Sequence, residues 1–165
     1  QLRVQIAPQR LPALVADSLA MVETQRQRRQ VTLHVDLSPD AQDVLADATR
    51  LRQVLINLLS NAVKYNQEGG EVHLKARRLD ASWVEVSVAD TGPGLTEAQM
   101  AQLFQPFNRL GREMGGIEGT GIGLVITQRL LELMNSSLSV SSTFGSGAVF
   151  SFKIPLIDQY SAPTA

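Results

Sequence analysis

Asn57-Leu58-Leu59-Ser60-Asn61-Ala62-Val63-Lys64-Tyr65 is the stretch on which the reading of this chain turns. It closes a segment in which Leu51, Val54, Leu55, Leu58 and Ala62 recur at helical spacing. One face of that helix is therefore core, and Asp47 or Thr49 supplies its N-terminal cap. At ~100° per residue, Asn57, Asn61 and Lys64 fall on one stripe beside the apolar face and look onto the same space. Two readings fit the stripe. It is a solvated helix flank, or it is the wall of a site in which hard, neutral asparagine oxygens suit Mg2+ and the lysine faces phosphate.

Upstream, Leu11, Leu14, Val15, Leu19 and Val22 mark an amphipathic helix that runs to about Arg29 and ends in the basic run Arg26-Gln27-Arg28-Arg29. The alternating, β-branched segment from Val31 to Leu37 predicts a strand ended by Ser38-Pro39-Asp40. Downstream, the runs Glu71 to Arg78 and Trp83 to Asp90 predict adjacent antiparallel strands joined by Leu79-Asp80-Ala81-Ser82. Thr96-Glu97-Ala98-Gln99 has the form of a capping box and opens a short helix with Met100, Leu103 and Phe104. Ile122, Val125, Ile126, Leu130, Leu133 and Met134 mark a further helix, followed by strands over 138–142 and 148–154. Helices and strands do not alternate regularly, as a parallel doubly wound sheet requires. The expected fold is α+β: a two-layer α/β sandwich with helices on one face of a mixed, mostly antiparallel sheet. One domain over 1–157 and a C-terminal tail over 158–165 are expected.

Composition narrows the function classes. A chain of 165 residues supports one core. A hydrophobic fraction of 44% with 19% charged residues is that of a globular protein. With 15 basic and 16 acidic side chains and a net charge of -1, no bulk field draws the chain to nucleic acid or an anionic membrane. The absence of cysteine excludes disulfides and thiolate metal sites, and His34 and His73, far apart in sequence, read as a poor ligand set and as structural or exposed strand residues. No uninterrupted apolar stretch reaches the ~20 residues that cross a bilayer.

Glycine is unevenly placed: none of the 12 precedes Gly69, and eight fall between Gly92 and Gly123. In Asp90-Thr91-Gly92-Pro93-Gly94, two glycines let the backbone approach a flat ligand, and a carboxylate at a strand end can accept from an exocyclic amine, which selects adenine over guanine. A plain turn is the alternative, since these are the usual turn formers. In Gly119-Thr120-Gly121-Ile122-Gly123-Leu124, closely spaced glycines before a helix expose N–H groups to phosphate. The spacing is not that of the dinucleotide fingerprint, and no Gly-Lys-Ser/Thr follows as in a Walker-type loop. Between the two lies Phe104-Gln105-Pro106-Phe107-Asn108-Arg109 and then a segment with Gly111, Gly115 and Gly116, which reads as a lid over a ligand or as an ordinary loop.

Taken in order, these four segments resemble the N, G1, F and G2 boxes of the sensor histidine kinase catalytic domain, with the likeness running from about Leu11 to Pro155. It includes the lead-in Arg50-Leu51-Arg52-Gln53-Val54-Leu55 and a G3-like Gly145-Ser146-Gly147. The resemblance implies the Bergerat ATP-binding fold, with Mg2+ held by Asn61 and with Asn57, Asn61 and Lys64 as the catalytic, phosphate-side set. It implies Tyr65 near ribose or base, Asp90 on the adenine amine, Gly92 and Gly94 shaping the base pocket, and Phe104 and Phe107 anchoring the lid. Arg109 would meet the γ-phosphate, and Gly119, Gly121 and Gly123, with Thr120, Ile122 and Leu124 between and after them, would cradle phosphate.

ATP-hydrolysing relatives of that fold carry a glutamate four residues before the metal asparagine; here the place is Asn57, and an amide is no general base. Met134-Asn135-Ser136-Ser137 stands where many members have glycines. Neither histidine stands in an H box, so the phosphoacceptor is expected on a separate dimerisation domain, outside this chain and amino-terminal to it. The implied partners are ATP, that histidine-bearing domain and a response regulator receiver domain, with no nucleic acid and no membrane contact, in the cytoplasm.

Overall fold

The computed structural model describes residues 3–98 and 120–157, the first four of the second segment by their backbone only. In chain order the elements are β1 (Ala7–Arg10), α1 (Leu11–Arg29), β2 (Thr32–Leu37), a 3-10 turn (Pro39–Ala41), β3 (Asp43–Ala46), α2 (Ala48–Lys64), β4 (Glu71–Arg78), β5 (Trp83–Asp90), α3 (Thr120–Leu133), β6 (Ser139–Ser142) and β7 (Ala148–Pro155). The helix expected from Thr96 and the segment up to Gly119 lie largely outside the described residues.

The main sheet has the order β2-β4-β5-β7-β6. Only β2 and β4 run parallel; the β4–β5, β5–β7 and β6–β7 pairs are antiparallel, so the sheet is mixed and mostly antiparallel as expected. Period-2 alternation sends Val72, Leu74 and Ala76 of β4, Val84, Val86 and Val88 of β5 and Phe152 and Ile154 of β7 into the core. Against that face packs α2, which buries Leu51, Val54, Leu55, Leu58, Leu59, Ala62 and Val63 and is flanked by α1 and α3. The opposite face carries Glu71, His73, Lys75, Arg77 and Glu85, exposed or half-buried.

Two short strands were not legible in the sequence. β1 and β3 form a separate antiparallel pair, Ala7 opposite Ala46 and Arg10 opposite Asp43, at the entries to α1 and α2. Four residues each, with Pro8 in one and aspartate opening the other, give no alternation long enough to register.

Helix ends follow local chemistry. Asp47 caps α2: one carboxylate oxygen accepts from the Arg50 N–H at 2.9 Å and the other from the Gln5 N–H at 2.6 Å. Burial raises its carboxyl pKa, but these N–H donors outweigh that and hold it below the ordinary value. After α3, Asn135 takes φ 61°, the left-handed conformation that asparagine adopts more readily than most side chains, so the turn closes without a glycine.

His34 and His73 stand in strands with side chains that reach solvent, as expected, but their distance along the chain gave no sign that they are neighbours. They are direct register partners in the parallel β2–β4 pair.

Candidate nucleotide site

The Asn57, Asn61, Lys64 stripe lies along the border of the buried face of α2. Asn57 and Asn61 are half-buried and Lys64 is exposed. The Asn57 amide donates to Thr127 Oγ1 at 3.2 Å, crossing from α2 to α3, where Thr127 is fully buried. Asn61 makes no side-chain hydrogen bond to another described residue, which leaves its amide oxygen available to a ligand. The Lys64 ammonium stands 5.4 Å from the centre of the Tyr65 ring, a cation–π contact at the helix end.

Asp90 is the last residue of β5, opposite Ala148 of β7. The turn that follows folds back on it: Gly92 N–H donates to Asp90 Oδ1 at 2.9 Å. Burial pushes the Asp90 carboxyl above its ordinary pKa, while the Gly92 and Ala148 N–H groups pull it part of the way back. A carboxylate held by burial and two main-chain donors has little rotational freedom.

The turn after β5 is pressed against the end of α2. A Cβ at Gly92 would lie 3.0 Å from the Tyr65 carbonyl oxygen and 3.2 Å from Asn66 Cα. Tyr65 N–H in turn donates to the Asn61 carbonyl at 3.0 Å, so Asn61 sits one helical turn, ~6 Å of rise, from the residue that touches Gly92. Asn61 and Asp90, distant in the chain, are thus brought to one side of the molecule through a short run of contacts.

Asn66 fastens this junction, and sequence reasoning passed over it. It is 3% exposed. Its Nδ2 donates to the Glu71 carbonyl at 2.9 Å, and its Oδ1 accepts from Gln67 N–H at 2.8 Å and Thr91 Oγ1 at 3.4 Å. Thr91 adds main-chain pairing to Glu71 at 3.1 Å and accepts from Glu71 N–H through Oγ1 at 2.9 Å. Arg29, at the end of α1, donates to the Val63 carbonyl at 3.3 Å and to the Asn66 carbonyl. The available signal was a polar residue directly after the helix end, at a position where a C-cap is expected.

Gly147 supports Asp90 from the other side. It has φ +89°, and a Cβ there would run into the Asp90 main-chain carbonyl. A Cβ at Gly94 would lie 2.6 Å from the Thr143 carbonyl oxygen, and Ser142 Oγ both accepts from Leu95 N–H at 2.7 Å and donates to the Gly147 carbonyl at 3.0 Å. The Gly145-Ser146-Gly147 turn therefore packs on the strand end that carries the carboxylate.

Thr120, Gly121, Ile122 and Gly123 form the first turn of α3, so the helix begins inside the glycine run instead of after it. Leu124 is fully buried in the core. Phe104, Phe107, Arg109 and Gly119 lie outside the described residues.

Helices packed on one face of a mixed sheet, with a half-buried carboxylate at the end of β5 and the turn after it pressed against the end of α2, define the class as an α+β sandwich. Residues 46–158 match the family described as Histidine kinase-, DNA gyrase B-, and HSP90-like ATPase, and the chain belongs to that family. It is 37% identical over 151 residues to the adaptive-response sensory kinase SasA of Synechococcus sp. (strain CC9311), covering 90% of this chain and 39% of that protein. Among solved structures, full-length ShkA in complex with AMPPNP matches with TM-score 0.81 and 32% identity over 95% of this chain and 32% of that one. The nucleotide-free catalytic domain of histidine kinase ThkA matches with TM-score 0.79 and 26% identity, covering 93% of this chain and 97% of that one. The chain thus spans about two-fifths of the curated sensory kinase it matches. Among the described residues, no helix is long and apolar enough to cross a membrane.

Proposed function

We propose that this chain is the ATP-binding catalytic domain of a sensor histidine kinase, transferring the γ-phosphoryl group of ATP to a histidine on a separate dimerisation domain, from which a response regulator receiver domain takes it. The observation that carries this reading is the convergence of the α2 flank with the end of β5: Gly92, bonded to Asp90, lies against the Tyr65 carbonyl one turn from Asn61. The likeness to the adaptive-response sensory kinase SasA and to full-length ShkA in complex with AMPPNP supports the same chemistry.

In this reading Asp90 accepts a hydrogen bond from the adenine amine, and Gly92 and Gly94 leave room for the base beside it. Tyr65 borders the ribose or base. Lys64, Arg109 and the Gly119, Gly121 and Gly123 backbone neutralise and orient phosphate, with Thr120, Ile122 and Leu124 fixing the turn that presents it, while Phe107 anchors the covering segment. Asn61 fits Mg2+: a half-buried neutral amide oxygen, engaged by no other described side chain, is a suitable hard donor. When bound, that cation neutralises phosphate charge as the γ-phosphoryl group departs. Asn57 orients the flank through its bond to Thr127 and offers no base to activate water. Transfer to an external acceptor is therefore favoured over hydrolysis, with positioning and charge neutralisation supplying most of the rate.

The test is to incubate the chain with Mg2+ and γ-labelled ATP, alone and with its own histidine-bearing dimerisation domain. Binding without appreciable turnover alone, and acid-labile label on the added domain, is the expected result. Steady hydrolysis by the chain alone, or no label on the cognate domain, overturns the assignment.

A further inference from the structure

The face of the sheet turned away from the helices carries a cluster that the nucleotide reading does not use. His34 and His73 are opposite each other in the parallel β2–β4 pair, and Glu71 precedes His73 by two residues, so the strand period puts all three on one face. The imidazole rings are stacked, with centroids 4.5 Å apart and planes 11° from parallel. Both rings turn Nε2 toward the same oxygen: Glu71 Oε1 is 3.5 Å from His34 Nε2 and 3.2 Å from His73 Nε2.

We propose that His34, Glu71 and His73 form a binding site for a divalent transition metal of the zinc class. The argument is one of distances and donor type. Four-coordinate zinc holds nitrogen and oxygen ligands at ~2.0–2.2 Å, which places neighbouring tetrahedral ligand atoms ~3.3–3.5 Å apart. Two of the three edges, 3.5 and 3.2 Å, are within about 0.1 Å of that range, and all three ligand atoms lie within 4.8 Å of one another. Binding requires the two solvent-reaching rings to turn out of their parallel stack, so that both Nε2 lone pairs converge on one ion. Two imidazole nitrogens and one carboxylate oxygen select zinc, nickel or copper over the magnesium that accompanies ATP, which prefers an all-oxygen octahedron. The ligands stand on neighbouring hydrogen-bonded strands of the main sheet, so the backbone fixes their spacing before any metal arrives. All three side chains reach solvent, which leaves the fourth position open to water.

The site is independent of the nucleotide reading and is tested without nucleotide. Untagged chain is titrated with Zn2+ by calorimetry, with stoichiometry read by native mass spectrometry. One zinc per chain is expected. His34→Ala and His73→Ala should each weaken binding by at least the ~10- to 100-fold typical of losing even an outer-shell partner, with Glu71→Gln also weaker than the unaltered chain. Each variant is checked for folding by circular dichroism and for unchanged Mg2+-ATP affinity, since none of the three belongs to the nucleotide site. Co2+ in place of Zn2+ should give the visible absorption of a four-coordinate site in the unaltered chain and not in His73→Ala. Absence of stoichiometric Zn2+ binding, or zinc affinity unchanged in the folded double variant His34→Ala/His73→Ala, overturns the proposal.

Discussion

Asp90→Asn separates recognition from stability because the two effects have opposite signs. The carboxylate accepts from Gly92 N–H at 2.9 Å and from Ala148 N–H, and an asparagine oxygen can stay turned toward these main-chain donors. The amide nitrogen then occupies the other oxygen's place, where a donor meets the donor of the adenine amine. Loss of a hydrogen bond to a charged group costs about 1.5–3 kcal/mol. At 1.4 kcal/mol per decade, ATP affinity should fall roughly 10- to 150-fold, and discrimination against GTP should shrink with it. Burial raises the folded-state pKa of Asp90, so the folded chain holds that proton more tightly than the unfolded chain. That contribution is complete below the unfolded pKa and is lost as pH rises through the folded one. At neutral pH the ionised side chain carries a desolvation cost that asparagine does not. The variant should therefore melt at the same temperature as the parent or higher, and the parent's advantage should emerge only as pH drops through the raised Asp90 value. Calorimetric titration with ATP and GTP, paired with thermal melts between acid and neutral pH, reads both quantities. ATP affinity unchanged in Asp90→Asn, or affinity and melting temperature falling together, would refute the reasoning.

Four further substitutions probe the surroundings of this carboxylate. Asn61→Ala removes a side chain with no hydrogen bond to another described residue, so stability should stay within about 0.5 kcal/mol; ATP affinity should fall with Mg2+ present and hold with Mg2+ chelated. Asn66→Ala removes one hydrogen bond from the Glu71 carbonyl, which keeps Thr91 N–H, and one from the Gln67 N–H, and urea denaturation should register a loss of about 1–3 kcal/mol for the two. Gly147→Ala and Gly145→Ala form a matched pair, with φ +89° and +91°, but a Cβ at 145 meets nothing within 4 Å whereas one at 147 meets the Asp90 carbonyl. Both should lose the ~1 kcal/mol or more of a left-handed alanine, and only Gly147→Ala should also lose ATP affinity.

The elements that declared themselves in sequence were those with enough residues to show a period. Helix α2 carries its apolar face over more than four turns, and β4 and β5 alternate over eight residues each, so their character and adjacency were legible. β1 and β3 were not, because a four-residue strand stabilised by a partner remote in the chain has no local signature. The same limit applies within the site. Asn57, Asn61 and Asp90 stand in spaced motifs and could be picked out one by one. Asn66 acts through Thr91, 25 positions on, and Gly147, noted only as part of a G3-like motif, meets the Asp90 carbonyl; pairing in space alone shows those contacts. His34 and His73 are the sharpest case, since their parallel register is a property of β2 meeting β4 across an intervening helix.

In the proposed site, Asp90 and Asn61 take their positions from the elements that carry them. Asp90 ends a central strand flanked by β4 and β7, and Asn61 borders the buried face of a helix packed on the sheet, so neither depends on a loop for its position. What sets their separation is the contact of the Gly92 turn with the Tyr65 carbonyl, and that contact is held by Asn66 bridging to Glu71 and Thr91. A substitution that loosens the bridge shifts the two halves of the site together with the end of the sheet. Changes at Asn66 should therefore couple to changes at Gly92, which share the junction, and add independently to changes at Ser18, a buried residue whose hydroxyl bonds within α1 to the Leu14 carbonyl at 2.8 Å. A double-mutant cycle of Asn66→Ala with Gly92→Ala should show an interaction of about 0.5 kcal/mol or more in ATP binding, and the cycle with Ser18→Ala should show none.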